Sequence, residues 1–259
     1  MSLVKAKKHL GQHFLTDKNI ALKICTALLI DSEQRNVLEV GPGMGILSDI
    51  LLEIKDFKTY LIDIDTESID YLKKKYPDYT DQIIEGDFLK FNFNTYFKSQ
   101  VAIIGNFPYN ISTQILFRVL EEREKVDIVV GMFQKEVAER IAAKAGNKTY
   151  GILSVLLQAY YKIEYLFTVN PSVFNPPPKV KSAVIRLTRL RTIIPDCDEK
   201  LFLQIVKAGF NQRRKTLRNA LSAHLNSGTK QNPILDLRAE ALNPEQFIEL
   251  TKFLSIGKE

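Results

Sequence analysis

The chain has 259 residues, of which 45% are hydrophobic and 25% charged, as is typical of one large globular domain or of a medium and a small one. No apolar run reaches the length of a membrane span, no apolar segment follows the basic N-terminus as in a signal peptide, and Cys25 and Cys197 have no metal-ligand spacing. We therefore expect a cytoplasmic protein without a membrane or metal site. The net charge of +6 favours a polyanionic partner without identifying it.

The N-terminal segment combines positive charge with a short motif. The charge comes from Lys5, Lys7 and Lys8. This cluster is interpreted either as a solvated tail or as an arm that contacts phosphates. Residues 11–15 then read Gly-Gln-His-Phe-Leu, and Thr16 or Asp17 is placed to cap a helix with apolar residues over 20–28. A lone histidine such as His13 is usually structural.

The first predicted strand, residues 36–40, runs directly into a glycine-rich turn. Residues 41–45 read Gly-Pro-Gly-Met-Gly, and an apolar helix pattern begins at Ile46. A strand, a glycine turn and a helix form a nucleotide-binding βα unit, in which glycines let a ligand approach the backbone closely. The dinucleotide fingerprint requires glycine where this chain has Ile46. The spacing from Glu39 to Gly45 instead resembles the first motif of S-adenosylmethionine-dependent methyltransferases.

Carboxylates follow the next two predicted strands. The second strand, residues 58–62, ends at Asp63, whose two oxygens can accept from the hydroxyls of a ribose. Asp65 is better interpreted as the cap of the following helix. Beyond the third strand, Asp87 either accepts from the exocyclic amine of an adenine that packs against Ile64 or belongs to an ordinary Gly-Asp turn.

The most informative stretch is the apolar run 101–104 with the Gly-Asn-Phe-Pro-Tyr sequence that follows it. The run is short, β-branched and bounded by breakers, which indicates a buried strand. The Asn106 oxygen and the Pro108 carbonyl can accept from both N–H bonds of an exocyclic amine, while Tyr109 stacks on the base, which is worth about 1–3 kcal/mol. The alternative is an ordinary Asn-x-Pro turn. The stretch therefore predicts a site for a planar base.

The rest of the chain predicts further strands and helices, followed by a region of helices only. The elements in order are a helix capped by Ser112 or Thr113, a strand over 126–133, helices over 134–140 and 151–161, a strand over 165–169, a proline-rich loop over 171–180, and a strand over 182–187. The last two strands suit an antiparallel edge on a parallel sheet. From about residue 192 only helical patterns follow. Their positive charge is concentrated at Arg213, Arg214, Lys215 and Arg218. This cluster is interpreted either as a solvated helix face or as a phosphate contact.

The whole chain resembles the bacterial small-subunit ribosomal RNA adenine dimethyltransferases and their archaeal and eukaryotic relatives. The matching motifs occupy residues 11–15, 39–45, 86–87, 106–109, 134–138, 174–182 and 210–215. The resemblance implies an α/β fold: a Rossmann-like class I methyltransferase domain with a mostly parallel seven-stranded sheet and an antiparallel edge at 1–191, and a small all-helical domain at 192–259. It also implies transfer of two methyl groups from S-adenosyl-L-methionine to N6 of each of two adjacent adenosines, in a hairpin loop near the 3′ end of the small-subunit RNA.

The predicted site falls into three groups of residues. By resemblance, the cofactor site contains His13, Leu15, Gly41, Asp63, Asp87 and Asn106, to which the motif reasoning adds Gly43, Gly45 and Ile64. The catalytic group is Asn106, Pro108 and Tyr109, with Phe174 added by resemblance as a second ring on the base. The predicted RNA contacts are Lys5, Lys7, Lys8, Lys135, Arg140, Lys144, Lys179, Arg213, Arg214, Lys215 and Arg218.

Four residues depart from the pattern of the resembled family. His13 replaces the more usual Asn, Phe107 replaces Leu, Asp63 replaces Glu, and Ile152 stands where Arg is common. The first three keep the backbone or acceptor role, whereas Ile152 removes a cation that could contact phosphate.

The resemblance also sets expectations for the partner, with three alternatives open. The expected partner is small-subunit RNA within a pre-assembled 30S-type particle, bound by a monomer. The alternatives are a large-subunit adenine methyltransferase that confers macrolide resistance, a DNA adenine methyltransferase and a non-catalytic ribosome-assembly factor. The loop at 174–182 argues against the first, the small helical tail against the second, and the intact glycine turn and base site against the third.

Overall fold

The protein is represented by a computed structural model, which describes residues 4–29 and 35–256. The strands are β1 (Phe14–Leu15), β2 (Arg35–Val40), β3 (Phe57–Asp63), β4 (Ile83–Glu85), β5 (Val101–Asn106), β6 (Val126–Gln134), β7 (Tyr161–Val169), β8 (Phe174–Asn175) and β9 (Ser182–Arg189). The α-helices are α1 (Lys18–Thr26), α2 (Ser48–Leu51), α3 (Thr66–Lys75), α4 (Phe93–Tyr96), α5 (Ser112–Glu121), α6 (Lys135–Ala142), α7 (Ile152–Tyr160), α8 (Glu199–Asn211), α9 (Leu217–Ala220) and α10 (Pro244–Ile256). Short 3-10 helices cover Lys8–Leu10, Pro77–Gln82, Phe88–Lys90, Pro171–Val173, Ser222–His224, Pro233–Asp236 and Ala239–Ala241.

Seven strands form one sheet in the order β4-β3-β2-β5-β6-β9-β7. The pairs from β4 to β6 are parallel, and β9 pairs antiparallel with β6. The predicted fold class, a mostly parallel sheet with an antiparallel edge, is confirmed. Because parallel strands are covered on both faces, the apolar run of β5 is fully buried. The chain reverses its order of strands between β2 and β5, and open α/β sheets bind ligands beyond the carboxyl ends of the strands at such a point.

The predicted helix caps divide into two that are confirmed and one that is wrong. Asp17 caps α1 by accepting from two backbone N–H groups, and Asp65 caps α3. Neither Ser112 nor Thr113 caps α5. Ser112 is already the first helical residue, and its buried hydroxyl donates instead to the Tyr109 carbonyl at 3.2 Å.

The helix after the glycine turn begins later than its apolar pattern predicts. It was expected from Ile46, whereas α2 starts at Ser48 and has one turn. Gly43 and Gly45 have φ values of +55° and +81°, which no right-handed helix accommodates, so the helix cannot begin before Ile46. Residues 46 and 47 still belong to the turn, although Leu47 already has helical dihedral angles (φ −78°, ψ −39°), so the difference is two residues at the helix start.

The chain divides into two compact units. One comprises Met1–Ala138 and Glu164–Arg189, and the other Glu139–Ile163 and Leu190–Glu259. Within the second unit, the Phe210 and Phe247 rings stack at 5.9 Å, and Tyr150 packs edge-on against Phe210. No helix in the described part of the chain is long and apolar enough to cross a membrane. The predicted domain boundary between residues 191 and 192 stays a prediction.

Candidate active site

A cavity of about 210 Å³ opens in the first unit, beside the carboxyl ends of β2, β3 and β5. The predicted site residues on its wall are His13, Gly41, Gly43, Asp63, Ile64, Asp87, Asn106, Pro108 and Tyr109. The wall also contains Gln12 and Phe14 from the N-terminal segment. Three predicted residues lie elsewhere: Leu15 lines a smaller cavity of about 30 Å³, while Gly45 and Phe174 line neither. The structure thus brings most of the predicted site together.

The three glycines of the turn serve two different purposes. Gly41 has φ +69°, but a Cβ there meets nothing closer than 3.8 Å, so the space beside it is open. A Cβ on Gly43 would lie 2.7 Å from the Phe14 ring, and one on Gly45 would lie 2.5 Å from the Tyr76 hydroxyl. Gly41 therefore allows a ligand to approach, whereas the other two glycines allow protein to pack against the turn.

The carboxylates beyond β3 and β4 keep acceptor capacity in the cavity. Asp63 is buried and accepts from the backbone N–H groups of Gly43 at 3.3 Å and Asp65 at 2.9 Å, one on each oxygen. Burial raises the pKa of Asp63, and these backbone hydrogen bonds oppose the rise. Each carboxylate oxygen has a second lone pair, so both can still accept from a ligand. Asp87 Oδ1 accepts from the Leu89 N–H at 2.9 Å, which caps a 3-10 helix, and Asp87 also lies on the cavity wall, so its role as an adenine acceptor stays a prediction.

Asn106 has its amide orientation fixed by the N-terminal segment. Its Nδ2 donates to the His13 carbonyl at 2.7 Å. A carbonyl only accepts, so the partner of His13 must be the NH₂ group, and Oδ1 remains as an acceptor for a ligand. The nearby Pro108 carbonyl accepts from the Ile111 N–H at 3.2 Å and keeps its second lone pair. Two acceptors, Asn106 Oδ1 and the Pro108 carbonyl, therefore remain at the cavity, two positions apart in sequence.

The Tyr109 ring is held at two places. Its hydroxyl lies 2.5 Å from the Oγ of buried Ser182, and its centroid lies 5.5 Å from that of His13 with the planes 32° apart. Burial raises the pKa of Tyr109. The ring therefore stays neutral near pH 7 and is fixed in one orientation.

Sequence reasoning did not assign Glu39 to the site. This residue is 1% exposed, and its Oε2 accepts from Ser48 Oγ at 2.6 Å. Burial raises its pKa to about 8, and the negative charges of Asp63 and Asp49 add to the rise. Glu39 lines the smaller cavity together with Gly41 and Asn106, which also line the larger one. The available signal was an acid inside an otherwise apolar strand.

Residues 7–16 form a strap, so named here because it is fastened on both sides of the cavity. At one end Lys7 pairs with Asp65, and Gln12 Nε2 donates to the same carboxylate at 3.2 Å. Burial of Asp65 opposes ionisation, but the Lys7 and Gln12 contacts outweigh it and lower its pKa. At the other end β1 pairs antiparallel with β8, and the Thr16 N–H donates to the Val173 carbonyl at 2.8 Å. The strap thus joins the start of α3 to the loop that follows β7.

Comparisons with known proteins agree on one family. Residues 3–255 match the family described as "Ribosomal RNA adenine dimethylase". The chain is 60% identical to the Ribosomal RNA small subunit methyltransferase A of Cytophaga hutchinsonii, over 98% of this chain and 99% of the relative. It is 56% identical to the protein of that name in Flavobacterium johnsoniae, over 97% of each. A solved dimethyladenosine transferase from Plasmodium falciparum has a TM-score of 0.74 and 26% identity, over 92% of this chain and 96% of that structure.

The chain belongs to the ribosomal RNA adenine dimethylase family. It is accordingly an S-adenosylmethionine-dependent rRNA adenine dimethyltransferase with an RNA partner. The features that suit such a cofactor are spread over the two cavities. The larger one has open space at Gly41, buried acceptors at Asp63 and an Ile64 side chain that is 57% exposed, while the smaller one is lined by the buried acid Glu39.

The dimethylase assignment leaves the role of Phe174 as a prediction. Its ring is 4% exposed and belongs to a core cluster that also contains Leu15. Stacking on a base requires the ring to leave this core. In the described structure, therefore, Tyr109 alone of the two predicted rings borders the cavity.

The predicted RNA contacts differ in exposure, and the structure describes an ion pair for some of them. The described pairs are Lys7 with Asp65, Arg213 with Glu240 and Arg218 with Asp236. The exposed ones are Lys5, Lys8 and Lys179 in the first unit and Arg140, Lys144, Arg214 and Lys215 in the second, while Lys135 is half-buried. The paired residues have a structural role that the sequence did not indicate.

Proposed function

We propose that this dimethylase acts on 16S rRNA, methylating N6 of two adjacent adenosines in the 3′-terminal hairpin loop, and so takes part in small-subunit assembly. The observation that carries the proposal is the Asn106 amide, oriented by the His13 carbonyl so that Oδ1 faces no described donor of its own chain. With the Pro108 carbonyl, it provides the two acceptors that a primary aromatic amine requires. Relatives at 60% and 56% identity are named for the small subunit, which favours that RNA.

The proposed cofactor subsites follow from what lines the two cavities. S-adenosylmethionine supplies an electrophilic methyl group and carries positive charge. Asp63 accepts from the ribose hydroxyls, while Asp87 and the exposed Ile64 take the amine and the face of the adenine. Gly41 lets the ligand contact the backbone, and the buried Glu39 offsets the positive charge once cofactor binding favours its carboxylate form. His13 and Leu15 contribute through the strap, while Gly43 and Gly45 shape the turn.

The target base lies at the Asn106–Tyr109 corner in this proposal. An adenine N6 is a weak nucleophile because its lone pair is delocalised into the ring. Acceptance of its two hydrogens by Asn106 Oδ1 and the Pro108 carbonyl favours a more tetrahedral nitrogen, and Tyr109 holds the ring by stacking. No general base is required, since the amine becomes cationic before it loses a proton. The target leaves its stack at lower cost in a loop than in a duplex.

The remaining proposals concern the partner and the chain's organisation. We propose a monomer that acts in the cytoplasm on a pre-assembled 30S-type particle. Its exposed cations contact phosphate groups of the RNA. Removal of these cations would lower the affinity for RNA, by an amount that depends on the salt concentration. Residues 1–191 would form the catalytic domain and 192–259 a helical domain. Light scattering of the protein alone, and methyl transfer to particles against naked RNA, test the first two points.

The proposed function is tested with Asn106→Ala and a matched control, Asn170→Ala, which removes an exposed amide from a loop. Loss of one acceptor at the reacting atom typically costs about 2.7–4 kcal/mol, or 10²–10³ in kcat. We expect that loss in labelled-methyl transfer to small subunits from an unmethylated strain, with RNA binding retained. The control should match wild type. Unchanged turnover in Asn106→Ala, or label that maps to large-subunit RNA or DNA, would refute the proposal.

A further inference from the structure

The side chain and the backbone of His13 contact different parts of the site. Its carbonyl accepts from Asn106 Nδ2 at 2.7 Å. Its Nδ1 lies 2.8 Å from the Pro176 carbonyl. Because that carbonyl only accepts, Nδ1 carries the proton and donates it, and the ring is fixed in this tautomer. The imidazole therefore ties the strap to the loop after β8, 163 positions along the chain.

The same imidazole stands against Tyr109. The centroids are 5.5 Å apart with the planes tilted by 32°, a spacing typical of a direct ring contact. The Tyr109 hydroxyl is held by Ser182 at 2.5 Å, so His13 supplies the second restraint on the orientation of the ring. In the proposed function this ring carries the target base. The His13 side chain thus contacts the ring that is proposed to hold the base and the loop after β8, and it has no described hydrogen bond to a proposed cofactor subsite.

We propose that His13 is a positioning residue for the target adenine. Its imidazole sets the Tyr109 ring and the Pro176 loop, and its side chain therefore controls turnover on RNA and not the affinity for S-adenosylmethionine. The inference rests on the proposed function, since it requires Tyr109 to hold the target base. It departs from the predicted role of His13 as a cofactor contact: the side chain serves the target base, and only the backbone carbonyl, through Asn106, borders the proposed cofactor site.

The second methyl transfer should depend on His13 more than the first. Each transfer breaks the bond between sulfur and the methyl carbon, forms an N6–carbon bond and releases one N6 proton to solvent. After the first transfer N6 has one hydrogen left, so one of the two acceptors has no N–H to orient. The monomethylated base is then held chiefly by stacking on Tyr109. A looser Tyr109 ring should therefore release monomethyladenosine before the second transfer.

The experiment uses three variants of the full chain. His13→Asn keeps an N–H donor for the Pro176 carbonyl but removes the ring, His13→Phe keeps a ring but removes the donor, and His13→Ala removes both. All three keep the backbone carbonyl that holds Asn106. The readouts are calorimetric affinity for S-adenosylmethionine, kcat and KM on unmethylated small subunits, and the ratio of mono- to dimethyladenosine by mass spectrometry. Asp87→Asn is the comparison for a residue proposed to contact the cofactor.

We expect His13→Asn and His13→Phe each to lose about five-fold in kcat, and His13→Ala about 20-fold, with cofactor affinity within about two-fold of wild type. Monomethyladenosine should accumulate with the Asn and Ala variants, while Asp87→Asn should lower the affinity for S-adenosylmethionine. A wild-type kcat in His13→Ala, or a cofactor affinity that falls in step with kcat, would overturn the inference. If wild type itself transfers no methyl group to small-subunit RNA, the proposed function fails instead.

Discussion

The buried carboxyl of Glu39 gives a pH dependence that can be assigned to one residue. It is 1% exposed, its pKa is raised to about 8 from an ordinary value of 4.5, and its one described hydrogen-bond donor is Ser48. The perturbation is Glu39→Gln, which keeps an oxygen for the Ser48 hydroxyl and removes the titration. The comparison of the two proteins cancels every other titrating group that the substitution leaves unchanged.

The sign and size follow from linkage. A group whose pKa is raised on folding stabilises the fold fully below its unfolded value, and that contribution is lost as pH rises towards the folded value. For Glu39 the window is pH 4.5 to 8, a span of 3.5 units. At 1.36 kcal/mol per unit, the loss is about 3 kcal/mol by pH 7 and about 5 kcal/mol above pH 8.

Urea unfolding of both proteins between pH 5 and pH 9 measures this difference. The stability of wild type relative to Glu39→Gln should fall by up to about 1.4 kcal/mol per pH unit through the window and level off above pH 8. Binding of the positively charged cofactor should favour the carboxylate, so calorimetry near pH 7 in buffers of different ionisation enthalpy should detect proton release by wild type only. Parallel stability profiles for the two proteins would refute the reasoning.

Two further predictions concern glycines whose missing side chains make room for rings. Gly43→Ala places a Cβ 2.7 Å from the Phe14 ring at φ +55° and should cost about 2–4 kcal/mol in denaturant unfolding. Gly41→Ala introduces backbone strain alone, so it should cost about 1–2 kcal/mol and weaken cofactor binding. Equal costs for Gly41→Ala and Gly43→Ala would contradict a clash with the Phe14 ring. Gly131→Ala puts a Cβ 2.3 Å from the Phe107 ring and 2.5 Å from the Phe133 ring, and it should cost about 3 kcal/mol. Phe107→Leu relieves the first clash only and should restore part of that loss; a double-mutant cycle without coupling would show that the Phe107 ring is not an obstacle.

Local patterns predicted the strands of the main sheet because each of those patterns has one physical solution. The β-branched run of β5 can be buried on both faces only within a covered parallel sheet, and the structure buries it completely. The role of Asp65 as a helix cap was predictable for a similar reason, since this acid lies directly before an amphipathic helix. The carboxyl ends of these strands then fix where Asp63 and Asn106 lie, so the cavity was predictable as well.

Contacts between distant residues were not predictable from local patterns. No short pattern shows that Gly45 is required by Tyr76, 31 positions away, because the clash arises only when α3 packs on the turn. Lys7 and Arg213 look like solvated cations in sequence, yet each has a carboxylate partner that the fold brings near. Phe174 carries a recognisable motif, but its burial depends on the core cluster around it. In each case the deciding partner is remote in sequence.

The strap explains why the short N-terminal motif belongs to the active site at all. Its backbone orients Asn106, its His13 side chain holds the Pro176 loop, and its Lys7 binds the carboxylate that caps α3. Asp65 in turn donates its N–H to Asp63, the proposed ribose acceptor. A displacement of the strap therefore disturbs the acceptor proposed for the target amine and the support of the proposed ribose site together. The two halves of the reaction site share one backbone segment, and neither can be preorganised without it.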